Sequence, residues 1–136
     1  EREGAMDFAD LLIKTNEALS QNIAGMRDYY QSRFTKILVD EFQDTNTEQF
    51  KWLAFLRAPS TELFAVGDDD QSIYAFRGAE PRYMSTFLNG IAAGNIVRLE
   101  QNYRSTGNIL AAANGVISNN DGRIGKTLRT VSGSGQ

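Results

Sequence analysis

Three polar runs in this 136-residue chain carry side chains suited to phosphate chemistry: Asp40-Glu41-Phe42-Gln43-Asp44, Gly67-Asp68-Asp69-Asp70-Gln71 and Glu100-Gln101-Asn102-Tyr103-Arg104. In the first, an aspartate can hold a hydrated Mg²⁺ through one oxygen, as magnesium sites with bound phosphates tend to do. The adjacent glutamate can orient or deprotonate a water molecule. A lone Asp-Glu after a strand is a solvated turn and helix cap. Here Ile37-Leu38-Val39 precedes the pair and Gln43-Asp44 follows it, which favours the chemical reading. In the second run, Gln71 can bond a terminal phosphate and respond to its loss. Just beyond it, Tyr74 and Phe76 are either core aromatics or, with Arg77, a platform on which bases stack; composition leaves these even. In the third, Arg104 suits charge developing on a transferred phosphoryl group, against the alternative of a surface ion pair.

Composition narrows the chemistry further. With no histidine and no cysteine, the commonest metal ligand, the usual general base and any thiol nucleophile are absent. A metal held here must be a hard cation on oxygen ligands. A hydrophobic fraction of 41% and a charged fraction of 23% are globular values. No apolar stretch reaches the roughly 20 residues that span a bilayer. The net charge of −3 speaks against a self-sufficient nucleic-acid binder.

The elements that must position these runs are legible from periodicity. Phe8, Leu11, Leu12, Thr15 and Leu19 recur at helical spacing, with Asp7 or Asp10 near the start and a break at Gly25. Residues 36–40 and 63–66 read as strands buried on both faces, and 95–99 as a third. Thr45-Asn46-Thr47-Glu48 offers a capping box for a helix through Leu56. A further helix is expected from Glu80 to Leu88, with Pro81 in its first turn, and another capped by Ser105. Strand-helix units in series predict an α/β fold with a parallel, doubly wound layer, and ligands bind beyond the carboxyl ends of such strands. All three polar runs fall at those ends. Gly125-Lys126-Thr127 imitates the end of a phosphate-cradling Walker A loop. Asn120 stands where that loop needs glycine, and the segment comes after a helix.

The runs Leu38–Asn46, Val66–Ala79 and Leu99–Ser105 closely resemble motifs II, III and IV of the UvrD, Rep and PcrA helicases of superfamily 1. Asp7-Phe8-Ala9-Asp10-Leu11-Leu12 resembles the segment that this family carries upstream of motif II, and residues 122–126 resemble its segment downstream of motif IV. The likeness implies part of a RecA-like (P-loop NTPase) domain, a parallel sheet with flanking helices that lacks the Walker A strand and loop. Residues 1–35 would be a helical lead-in, 36–118 the RecA-like core and 119–136 a polar tail.

The resemblance also implies roles. Asp40 would coordinate Mg²⁺, with Glu41 beside it activating water, and Gln71 would contact the γ-phosphate of ATP. Tyr103 would pack against the nucleotide and Arg104 would contact its γ-phosphate. Tyr74, Phe76 and Arg77 would lie along single-stranded DNA, Phe76 where the family commonly has tryptophan. The parent protein is expected to be a cytoplasmic, nucleoid-associated bacterial motor that hydrolyses ATP to move 3′ to 5′ in DNA repair or replication. The chain itself, opening on Glu1 and closing on a small polar run, is expected to be an internal piece, inert without the remainder of the motor and prone to self-association. Two other readings remain at this point: a receiver-like phosphoacceptor domain, and a non-catalytic DNA-binding module.

Overall fold

A computed structural model describes residues 4–80, 82–90 and 95–135, with the backbone alone at Arg77, Leu88 and Asn89. Pro81, expected in the first turn of a helix, lies outside the described residues. The chain divides into two compact units, residues 1–84 and 85–136.

The first unit begins with helix α1 (Phe8–Ser20), followed by α2 (Met26–Arg33). Asp7 caps α1 in a reciprocal box: its carboxylate accepts from Asp10 N at 2.8 Å, and the Asp10 carboxylate accepts from Asp7 N at 3.1 Å. The inward stripe of α1 differs from the expected one. Leu12, Asn16 and Leu19 turn inward, whereas Phe8, Leu11 and Thr15 are exposed. The reason is polar. Asn16, only 5% exposed, donates to the Glu48 carbonyl at 2.8 Å and to the Glu48 carboxylate at 2.9 Å. That clasp rotates the helix to serve the amide rather than Phe8.

Strands β1 (Lys36–Val39) and β2 (Glu62–Ala65) pair in parallel, Lys36 opposite Glu62 and Val39 opposite Ala65. Helix α3 (Thr47–Leu56) makes the crossover between them. Its cap is Asn46, with Gln49 completing the box at 2.9 and 3.0 Å, one residue later than expected. Thr45 instead takes part in backbone pairing, its carbonyl accepting from Glu80 N at 3.2 Å. Phe42, Leu53, Leu56, Ala79 and Met84 form the buried core, and Phe50 stacks on Tyr83 with ring centroids 4.3 Å apart.

Two expectations are corrected. The strands are not covered on both faces: Leu38 and Phe64, paired across the ladder, are 75% and 63% exposed. An unbroken apolar strand reports what a sheet is able to bury, and no layer covers that face among the described residues. Residues 95–99 are not a third strand; among the described residues the sheet has two. β-Branched composition favours extended backbone, but a strand also needs a pairing partner.

In the second unit that partner is taken up one step later. Gln101 bridges Arg129, with Arg129 N donating to Glu100 O at 2.9 Å and Asn102 N to Arg129 O at 2.7 Å. Helix α4 (Arg82–Gly90) contains the division between the units, and α5 (Gly107–Ile117) lies in the second. Thr106, not Ser105, is the N-cap residue of α5, without a side-chain cap bond, and Ser105 N donates to the Asn102 side chain at 2.8 Å. Asn114 on α5 donates to Leu128 O at 2.8 Å.

The clasp between α1 and α3 can be tested through pH. The Lys51 ammonium, and after it the Asn16 amide, hold the Glu48 carboxyl below the usual glutamate value. A carboxylate depressed in the folded state stabilises above its unfolded value and loses that contribution as pH falls through its folded value. The destabilisation caused by Glu48→Gln at neutral pH is therefore expected to shrink on acidification below about pH 4.3, followed by urea midpoints.

Candidate functional site

Parallel pairing places the ends of β1 and β2 side by side, so the runs beyond them share one edge of the first unit. Val66 N donates to Val39 O at 2.8 Å and Phe42 N to Val66 O at 3.0 Å, so the ladder continues past both strands. Between these bonds the backbone makes a tight turn. Glu41 takes φ +50° and ψ +43°, a left-handed conformation that non-glycine residues adopt at a cost of roughly 1–2 kcal/mol. Its own N–H donates to the Asp40 carboxylate at 2.9 Å. Such strain persists only where surroundings impose it, and it gathers at functional sites. Both acidic side chains are exposed at the strand end.

The turn is braced by Gln43, 3% exposed. Its Nε2 donates to the Glu41 carboxylate at 2.7 Å, and its Oε1 accepts from Asp68 N at 3.0 Å. The Asp68 carboxylate accepts from Asp70 N at 3.1 Å and from the Gln71 side chain at 2.6 Å. The sequence gives roles to Glu41 and Gln71, while Gln43 and Asp68 enter it only as members of the same polar runs. No spacing rule marks Gln43, because its role depends on two partners brought together by the fold. Gly67 sits against the same packing. A Cβ there would lie 2.6 Å from Met84 Cε and 2.8 Å from Gln43 Oε1.

The carboxylates of Asp68, Asp69 and Asp70 lie within 4.8 Å of one another. Asp68 accepts donors from its own loop, so the cluster braces that loop. Asp40 fits a magnesium ligand better: an exposed carboxylate at a strand end, with one oxygen taken by a backbone N–H. A single carboxylate with waters and phosphate oxygens suits Mg²⁺.

The run after Gln71 is tied to the same edge. Asn46 bridges Ala79 in antiparallel fashion, so the chain leaving Asp44 pairs with the chain leaving Gly78. Tyr74 and Phe76 form a tilted pair with centroids 5.8 Å apart, and Phe76 is 78% exposed. The core alternative for Phe76 is thereby corrected; bases stack on aromatic side chains that stand at the surface. Arg77 ends a short 3₁₀ turn, and its side chain lies outside the described residues.

The third run belongs to the second unit. The Asn102 side chain accepts from Arg104 N at 2.9 Å, and Tyr103 is 82% exposed. Gly125 and Lys126 supply carbonyls to Arg98 and Arg123 at 3.2 and 3.1 Å, unlike a phosphate loop that presents N–H groups.

The first unit is a mixed α/β unit that brings an Asp-Glu pair and a glutamine to adjacent parallel strand ends, side chains that could serve phosphate chemistry. The profile of the UvrD/REP helicase N-terminal domain matches residues 1–91, and the chain belongs to that family. It is 49% identical over 136 residues to DNA helicase II of Escherichia coli (strain K12), covering 100% of this chain and 19% of that protein. It is 51% identical over 130 residues to DNA helicase II of Salmonella typhimurium, covering 96% and 18%. A Mycobacterium tuberculosis protein named ATP-dependent DNA helicase UvrD1 is 46% identical over 139 residues, covering 97% and 18%. The chain thus spans about a fifth of the length of these relatives. Membership does not favour the receiver-like reading.

Gly67→Ala is expected to overpack Met84 and Gln43 and lower stability by about 1–3 kcal/mol, measured by chemical denaturation.

Proposed function

We propose that this chain is part of the first, RecA-like motor domain of a DNA helicase that couples ATP hydrolysis to 3′ to 5′ movement on single-stranded DNA. The observation that carries the reading is the junction in the first unit. The Asp40-Glu41 turn and the Gln71–Phe76 run are joined through Gln43, Asp68 and the pairing of Asn46 with Ala79. Residues suited to hydrolysis and to base stacking thus share one scaffold. The names of the relatives support DNA and ATP as the partners of the full-length protein.

In this reading Asp40 holds Mg²⁺, which when bound neutralises charge on the phosphates. Glu41 accepts the proton of the attacking water, its carboxylate held by Gln43 Nε2 at 2.7 Å. Gln71 exchanges its bond to Asp68 for one to the γ-phosphate. Tyr103 packs on the nucleotide and Arg104 meets the γ-phosphate. Phe76, with Tyr74 and Arg77, stacks on DNA bases. Residues 1–35 form the lead-in, 36–118 the RecA-like core and 119–136 a polar tail. The setting is bacterial DNA repair or replication in the cytoplasm, at the nucleoid. Among the described residues no helix is long and apolar enough to cross a membrane. The exposed Leu38–Phe64 face would be covered by the rest of the motor, and by self-association when the chain is alone.

Three outcomes test this. In the full-length protein, Glu41→Gln is expected to slow DNA-stimulated ATP hydrolysis by about 10²-fold or more. Phe76→Ala is expected to weaken single-stranded DNA binding by about 1–3 kcal/mol in an anisotropy titration. The isolated chain is expected to release no phosphate from ATP with DNA present in a malachite-green assay; robust turnover would overturn its inertness.

A further inference from the structure

We propose that Gln43 is a positioning residue that holds the Glu41 carboxylate and the loop carrying Gln71 in one fixed relation. The inference rests on the hydrolytic reading above and adds to it a residue to which that reading gives no chemical role.

The geometry allows one arrangement of the Gln43 amide. The Asp68 backbone N–H can only donate, so it must face Oε1; the Glu41 carboxylate, when ionised, only accepts, so it must face Nε2. Both partners are therefore needed to orient the amide, and the amide in turn orients both. The side chain is buried, so water does not readily replace either bond. A third tie comes from its main chain, whose carbonyl accepts from Ser72 Oγ at 3.4 Å, on the far side of Gln71. Gln43 thus grips the second loop on both flanks of Gln71, at Asp68 and at Ser72.

The site is also built to admit this side chain. Gly67 leaves the space that Oε1 occupies, and a Cβ there would intrude on it at 2.8 Å. The left-handed backbone of Glu41 comes with a side chain directed at Gln43. Without the amide, Glu41 keeps its place in sequence and loses its aim, while Asp68 N loses its acceptor. The consequence falls on the rate of the chemical step more than on nucleotide affinity, because Gln43 is buried behind the carboxylate it orients.

The test is made on the full-length protein with Gln43→Met, which keeps length and loses both polar contacts, and with Gln43→Asn, which keeps an amide one methylene too short to bridge. ATP hydrolysis is measured with saturating single-stranded DNA, and kcat is referred to sites counted by nucleotide titration, so that unfolded protein does not contribute. Both variants are expected to lower kcat by about tenfold or more while KM for ATP stays within about threefold. Combined with Glu41→Gln, either variant is expected to slow single-turnover hydrolysis by clearly less than the product of the two separate effects, because part of the action of Gln43 passes through that carboxylate. Should both variants keep kcat within about twofold, or should their effects multiply with that of Glu41→Gln, the role of Gln43 is overturned and the hydrolytic reading stands. Should Glu41→Gln itself leave turnover intact, the hydrolytic reading fails first and Gln43 with it.

Discussion

Everything at the candidate site depends on the parallel ladder between β1 and β2. A parallel pair brings both carboxyl ends to the same edge, whereas an antiparallel pair would send them to opposite ends. Here the ladder runs four residues, with two further bonds carrying it to Phe42 and Val66. That extension sets Asp40 and Glu41 beside Asp68, close enough for a single glutamine to reach both loops. The hydrogen bonds of Gln43 follow from the ladder, and the turn at Glu41 is braced by both together.

The surrounding packing serves that edge. Phe42, fully buried, anchors the turn from below while its N–H continues the ladder. Helix α3 is held at its start by the Asn46 box and by Asn16 reaching from α1 to Glu48. Tyr83 stacks on Phe50 and donates to the Thr47 hydroxyl at 3.0 Å, so the chain beyond the aromatic run returns to the same helix. Few of these contacts are large individually, yet each fixes the start of α3 relative to the site. The opposite face, with Leu38 and Phe64 in the open, shows where this packing ends.

Much of the local structure was legible in the sequence. The order of helices and the first two strands and the acidic cap of α1 follow from periodicity and cap chemistry, whereas α1 ends at Ser20, before the break expected at Gly25. The misses lie at helix ends and faces. The cap of α3 is Asn46 and not Thr45, the residue that opens α5 is Thr106 and not Ser105, and the inward face of α1 holds Asn16 and not Phe8. Helix ends shift by a residue or so with context that a local pattern does not carry.

The sequence by itself determined the family, because three long motifs in order are far more specific than any one pair of carboxylates. It also determined the candidate chemistry, since a chain without histidine or cysteine leaves acids, glutamine and arginine to do the work. Only the tertiary structure decided that Phe76 stands in the open, that residues 95–99 find no partner strand among the described residues, and that Gln43 lies between Glu41 and Asp68. The physical reason is common to all three. Exposure and hydrogen-bond partnership belong to pairs of segments, and a glutamine's two ends acquire meaning only when a donor and an acceptor from different loops meet them.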